Sequence, residues 1–97
     1  MERPAEWERL DVWLWYARVA KTRAICARAV AAGGFRVNRK PVDKPHHKLR
    51  VGDVVTYMWG EEVRVWQVAA LGTRRGPPEE ARALYLRIGK FDHLEID

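Results

Sequence analysis

Ten lysines and arginines fall between Arg18 and Arg50 (positions 18, 21, 23, 28, 36, 39, 40, 44, 48 and 50), and the one acidic residue in that span is Asp43. Ten cations against one acid give this third of the chain a formal charge of +9, whereas the whole chain carries +5, so the remainder is net −4. A generally basic protein would spread its excess. Confining it to one segment implies a one-sided electrostatic footprint. Lysine and arginine on a common face neutralise phosphates and release counterions, the main source of sequence-independent affinity for nucleic acid. Within Lys21-Thr22-Arg23, Thr22 reads as a helix N-cap. The first N–H groups of the helix it starts make an uncharged anion site beside the cations.

The other reactive side chains point elsewhere. His46 and His47 are adjacent, so in an extended chain they diverge, and no Cys, Asp or Glu follows at metal-ligand spacing. They read as surface or RNA-facing histidines, and neither a metal nor another cofactor is expected. Cys26 is the single cysteine. It sits mid-helix without a neighbouring histidine and reads as a small buried residue, not a nucleophile. Glu61 and Glu62 are neighbours at a predicted hairpin and do not form a catalytic pair. Gly33-Gly34 follows a helix instead of opening one, which excludes a phosphate loop. No enzymatic chemistry or small-molecule substrate is implied. Trp13 falls on a core face, while Trp15, Trp59 and Trp66 are divided between core and rim.

The elements that must position the cations follow from periodicity. A first helix is predicted over residues 9–20. Leu10, Trp13, Leu14 and Ala17 share one face, and Val12, Trp15, Tyr16 and Val19 the other, so both sides are covered. A second helix starts after Thr22, runs to about residue 32 through mostly small residues, and stops at Gly33. Phe35-Arg36-Val37 alternates as a strand with Arg36 outward. Residues 43–50 carry little secondary-structure signal. Residues 54–59 and 63–71 read as a hairpin around Gly60-Glu61, and a phase change near Val65 predicts a β-bulge. Pro78 opens a third helix, with Ala81, Leu84, Tyr85 and Ile88 as its apolar face and Gly89 as its stop.

Ninety-seven residues make one domain of α+β class: two N-terminal helices packed on a small antiparallel sheet, with a short C-terminal helix. Residues 1–8 are expected to be a flexible lead-in, residues 9–88 the domain with its motif core over 9–58, and residues 89–97 a loose acidic tail. No apolar run approaches the roughly 20 residues of a membrane span. The first eight residues have no apolar core of the signal-peptide kind. With one cysteine, a cytoplasmic protein is expected.

These residues also carry a resemblance. Arg9-Leu10-Asp11, Leu14, Thr22-Arg23, Cys26, Ala29-Val30, Gly33 and Val37-Asn38 resemble the RNA-binding domain of the ribosomal protein S four type (the alpha-L motif), over about residues 9–58. Trp13-Leu14-Trp15, Ala17-Arg18, Lys44-Pro45, Arg50-Val51-Gly52-Asp53 and the Leu71-Gly72 to Gly76-Pro77 stretch look like the heat shock protein fifteen family, to about Ile88. The resemblance implies an RNA-facing set of Arg9, Lys21, Thr22, Arg23, Arg28, Arg36, Asn38, Lys44, Lys48 and Arg50. It implies that Asp11 braces a basic neighbour and does not touch RNA. Arg39 replaces the glycine usual after Val-Asn, so either the turn differs or Asn38 takes the positive φ. Ala29 replaces a larger aliphatic. Family members extend into a basic C-terminal helix and tail, whereas here the last residues are acidic.

The function so implied is non-enzymatic binding of structured ribosomal RNA, on the large subunit, in the rescue or recycling of stalled subunits carrying peptidyl-tRNA, as part of a heat-shock response. Two alternatives stay open: the same domain acting on tRNA or another small RNA, and a protein-interaction module using the Trp-rich surface. The oligomeric state is left unassigned.

Overall fold

Two helices, α1 (Leu10–Tyr16) and α2 (Arg23–Ala31), lie against each other, and their buried residues join those of an antiparallel sheet in one core. A computed structural model of the chain describes residues 6–91; residues 1–5 of the expected lead-in and residues 92–97 of the expected acidic tail lie outside them. The sheet is built from β2 (Phe35–Val37), β3 (Lys40–Val42), β5 (Val54–Trp59), β6 (Glu62–Val68) and β7 (Tyr85–Phe91), in the order β3-β2-β5-β6-β7. A second ladder pairs β1 (Glu8–Arg9) with β4 (Lys48–Leu49). A short helix, α3 (Pro78–Arg82), precedes β7. No helix among the described residues is long and apolar enough to cross a membrane.

The core joins Leu10, Trp13, Leu14, Cys26 and Val30 from the helices to Phe35, Val37, Val55, Tyr57, Trp66 and Val68 from the sheet. Full burial of such side chains contributes about 1.5–3 kcal/mol each. The indole N–H of Trp13 donates to the Ala70 carbonyl at 2.9 Å, which meets the need a buried tryptophan carries with it. Both sides of α1 are covered: Val12 is buried, and Trp15 and Tyr16 are half-buried. Trp66 is core, stacked on Tyr85 with centroids 3.7 Å apart, whereas Trp59 is exposed. Burial pushes the phenol of Tyr57 up to about 12, against opposing help from Arg64.

Three expectations need correction. The first helix begins one residue late and ends at Tyr16, four residues before the predicted end. Arg9 is extended and paired with Lys48, so it belongs to a strand. At the other end Arg18 adopts φ +62°, its N–H donates to Trp15, and the N–H of Val19 donates to Leu14. That is a Schellman closure, with Val19 and Leu14 buried as its usual apolar pair. It lacked its sequence signal because arginine stands where glycine is common.

Second, the helix begun at Pro78 stops after Arg82, and Tyr85 to Phe91 form a strand on the edge of β6. Leu84, Tyr85 and Ile88 fit helical spacing, but a short apolar run fits a strand equally well. Tertiary contacts decide. The Leu84 carbonyl accepts from Ala69 at 2.8 Å, and Tyr85 stacks on Trp66.

Third, residues 43–50, which carry little signal of their own, include the two-residue strand β4. The bulge predicted near Val65 is present as a register shift between Val65 and Trp66. At the β2–β3 hairpin Asn38 and Arg39 both take positive φ, +51° and +72°, so neither of the two expected alternatives stands alone. A two-residue hairpin with both φ angles positive is the type I′ geometry.

Candidate nucleic-acid interface

The site starts at the beginning of α2. Thr22 is extended (φ −130°, ψ 154°), and its hydroxyl accepts the Ile25 N–H at 3.1 Å, so it is the N-cap that the sequence predicts. Lys21, Thr22 and Arg23 are all exposed there. Apart from the Ile25 N–H taken by Thr22, the first N–H groups of the helix have no partner within it, and these cations flank them in sequence.

Asp11 organises the cations on this side. It is 2% exposed, and its carboxylate accepts Arg9 Nε at 3.1 Å, Arg9 Nη2 at 3.0 Å and the Val12 N–H at 2.9 Å. Arg23 Nε stands 3.6 Å from the same carboxylate, an ion pair longer than a hydrogen bond. One buried acid therefore holds two guanidinium groups side by side, each with about half its surface in solvent (42% and 48%).

The loop after β3 supplies the second wall. Its carbonyls at His47 and Pro45 accept the N–H groups of Leu10 and Asp11, at 2.9 and 3.0 Å. These are orphan donors at the start of α1, so the loop caps that helix with its backbone. The β1–β4 ladder then sets Lys48 directly opposite Arg9, and Lys48 Nζ lies 4.9 Å from the centre of the exposed Trp7 ring. A segment without a secondary-structure signal of its own is thus fixed by the helix it caps.

Asp53 braces the far end of this wall. Its carboxylate accepts Asn38 Nδ2 at 3.0 Å and the Arg50 N–H at 2.8 Å, while Asn38 Oδ1 accepts the Val54 N–H at 2.9 Å. Asn38 therefore holds the turn that presents Arg50, with both its amide nitrogen and its amide oxygen engaged in doing so. Asn38, Lys44, Lys48 and Arg50 border one cleft of about 440 Å³, which Lys40 and His47 also line.

Of the ten residues implied by resemblance, Arg9 and Arg23 meet on Asp11, Asn38, Lys44, Lys48 and Arg50 border the cleft, and Thr22 caps the helix that Arg23 begins. Lys48, the strand partner of Arg9, also lines the cleft, and Lys21 adjoins Thr22 in sequence. Arg28 is exposed along α2, beyond the cluster at its start. Arg36 is set apart. Phe35 and Val37 on either side of it are buried against the helices, so strand alternation puts Arg36 on the outer face of the sheet, where it donates to the Arg39 carbonyl at 3.3 Å.

Lys40, counted among the basic residues but not in the RNA-facing set, lines the cleft, and the bracing role of Asp53 was not foreseen from the Arg50-Val51-Gly52-Asp53 run. The meeting of the 72–77 loop with the α1–α2 joint was also not foreseen. Arg18 Nη1 donates to the Gly76 carbonyl at 2.8 Å, and Arg75 Nη2 donates to the Ala20 carbonyl at 3.4 Å with its guanidinium 5.9 Å from the Trp15 ring. Cys26 is buried, and burial pushes its thiol up, away from thiolate chemistry. His46 is exposed and His47 half-buried.

The chain is similar in sequence and in fold to known proteins. Residues 8–55 match the S4 domain model. Heat shock protein 15 of Escherichia coli K12 is 36% identical over 84 residues, covering 87% of this chain and 62% of that protein. The heat shock protein 15 homolog of Haemophilus influenzae is 34% identical over 77 residues, covering 79% and 58%. The chain thus spans about three fifths of the length of these curated relatives. A solved structure, described as the trimeric structure of Vibrio cholerae heat shock protein 15, superposes with a TM-score of 0.78 at 30% identity and covers 84% of this chain and 82% of that one.

Proposed function

The chain belongs to the heat shock protein 15 family and carries an S4 RNA-binding domain, and from that premise we propose that it binds structured ribosomal RNA without enzymatic chemistry. The observation that carries this reading is the arrangement around Asp11: Arg9, Arg23 and Lys48 beside the open N-terminus of α2, continued by Lys44 and Arg50 across the cleft. These groups form a wall of donors and charges suited to phosphates along an RNA helix, where recognition runs through backbone and shape more than base edges.

The RNA we assign is that of the large ribosomal subunit, in the cytoplasm, during rescue of subunits left with peptidyl-tRNA. The test is sedimentation of the full chain with intact ribosomes, separated subunits and large subunits carrying peptidyl-tRNA. Enrichment on the last supports the assignment. Absence from all ribosomal fractions together with tight binding to free tRNA would transfer the same surface to a different RNA.

The Vibrio cholerae relative is described as trimeric, and we extend the same assembly to this chain. Met58 and Leu86, both on the outer face of the sheet by register and both exposed, offer apolar surface for self-contact. Light scattering of the eluting protein reads the state directly, and a monomer at all concentrations rules the trimer out.

A further inference from the structure

The cleft bordered by β2, β3 and the 43–50 loop is more than a row of phosphate contacts. Its volume, about 440 Å³, falls within the roughly 300–1,000 Å³ typical of small-ligand clefts. Its chemistry is mixed. Lys40, Lys44, Lys48 and Arg50 give four cations, while exposed Pro41 and half-buried Val42 give apolar surface. Register shows why the two meet: Val37 pairs with Lys40 and Phe35 with Val42, so all four share the helix side of the sheet. Tracking a sugar–phosphate backbone needs no apolar wall.

The carboxylates argue the same way. Asp53 is engaged by Asn38 and the Arg50 N–H. Asp43 also lines the cleft. A carboxylate opposes a bare phosphate but accepts well from an exocyclic amine or a ribose hydroxyl. His47, half-buried, is the one aromatic residue among the described residues that line the cleft, and unpaired bases stack on such rings.

We propose that this cleft receives a single unpaired nucleotide of the bound RNA, its base against Val42 and His47 and its flanking phosphates on Lys40, Lys44, Lys48 and Arg50. The inference rests on the RNA-binding reading and adds a preference to it: the target is a helix interrupted by an extruded base. The wall around Asp11 grips the helix, and the cleft takes the base.

The test uses the full chain and one RNA hairpin in three forms: fully paired, with one bulged nucleotide, and with an abasic residue at the bulge. The abasic form keeps the phosphate and the flexible joint and removes only the base. Fluorescence anisotropy should show the bulged form bound about tenfold more tightly than the abasic form. His47→Ala and, independently, Val42→Ala should shrink that ratio towards one, with affinity for the abasic hairpin within about twofold of wild type. Equal affinity for the bulged and abasic hairpins overturns the cleft assignment and leaves general RNA binding standing. An undiminished ratio in both variants also overturns it, because the base is then read elsewhere. Failure to bind any of the three hairpins overturns the RNA reading itself.

Discussion

Asp11 shows that the most informative residue on a basic face can be its acid. A carboxylate 2% exposed, with two arginines and one backbone N–H upon it, fixes guanidinium groups that would otherwise sample many rotamers. Ordering them in advance lowers the entropy lost on binding. Asp11→Asn should therefore weaken RNA binding severalfold even though it makes the protein more positive. It should also cost about 2 kcal/mol of stability through lost charge-assisted hydrogen bonds. Anisotropy and thermal denaturation read the two effects, and tighter binding by Asp11→Asn would show that net charge, not order, governs the face. Arg23→Ala should behave differently. A lost phosphate contact lowers the magnitude of the log affinity against log salt slope by about 0.7–0.9, whereas Asp11→Asn keeps every cation and changes the slope little. An unaltered slope in Arg23→Ala would remove Arg23 from the phosphate contacts. The bracing role of Asp11 was legible in the sequence. That of Asp53 was not, because its side-chain partner Asn38 lies 15 positions away and is brought to it by the β2–β5 pairing; only the Arg50 N–H, three positions away, is a local contact.

At the scale of elements, what the sequence revealed depended on whether the stopping signal was local. Thr22 and Gly33 bracket α2 as read, because a hydroxyl cap and a glycine at φ +92° act within a few residues. The end of α1 was hidden because its closure uses Arg18 in the left-handed region, held by a hydrogen bond from its side chain to Gly76, 58 positions on. Strand β7 was hidden because its apolar residues suit either period, and the choice was made by the open edge of β6 and the Trp66 ring. The β2–β3 hairpin is intermediate. The departure at Arg39 was visible, and its consequence is a non-glycine residue at φ +72°. A left-handed conformation costs an L-residue about 1–2 kcal/mol. Arg39→Gly should therefore stabilise the fold by about 1 kcal/mol after the extra chain entropy of glycine, raising the melting temperature by about 4–8 °C. An unchanged or lower melting temperature would mean that the Arg36 contact to the Arg39 carbonyl, or the Arg39 side chain itself, compensates the backbone cost.

The whole molecule separates two meanings of a basic protein. A formal charge of +5 could act as a diffuse field or as one wall of local contacts. Arg36 and Lys44 distinguish them, because each reversal to glutamate changes the net charge by the same amount. Lys44 borders the cleft, whereas Arg36 lies on the outer face of a sheet whose other face carries the helices. The molecule is 24 Å across its shorter axes, well beyond the screening length of about 10 Å at 0.1 M salt. At that salt Lys44→Glu should weaken RNA binding about tenfold or more, since it replaces a phosphate contact with a like charge, and Arg36→Glu should change it by about twofold at most. At 0.01 M salt the screening length grows to about 30 Å, and the two variants should converge because each then feels the same total charge. Equal losses at 0.1 M would return Arg36 to the interface and place RNA on both faces of the sheet. A gap that widens with added salt confines RNA to the helix side, where Asp11, Asp53 and the cleft already hold the cations in place.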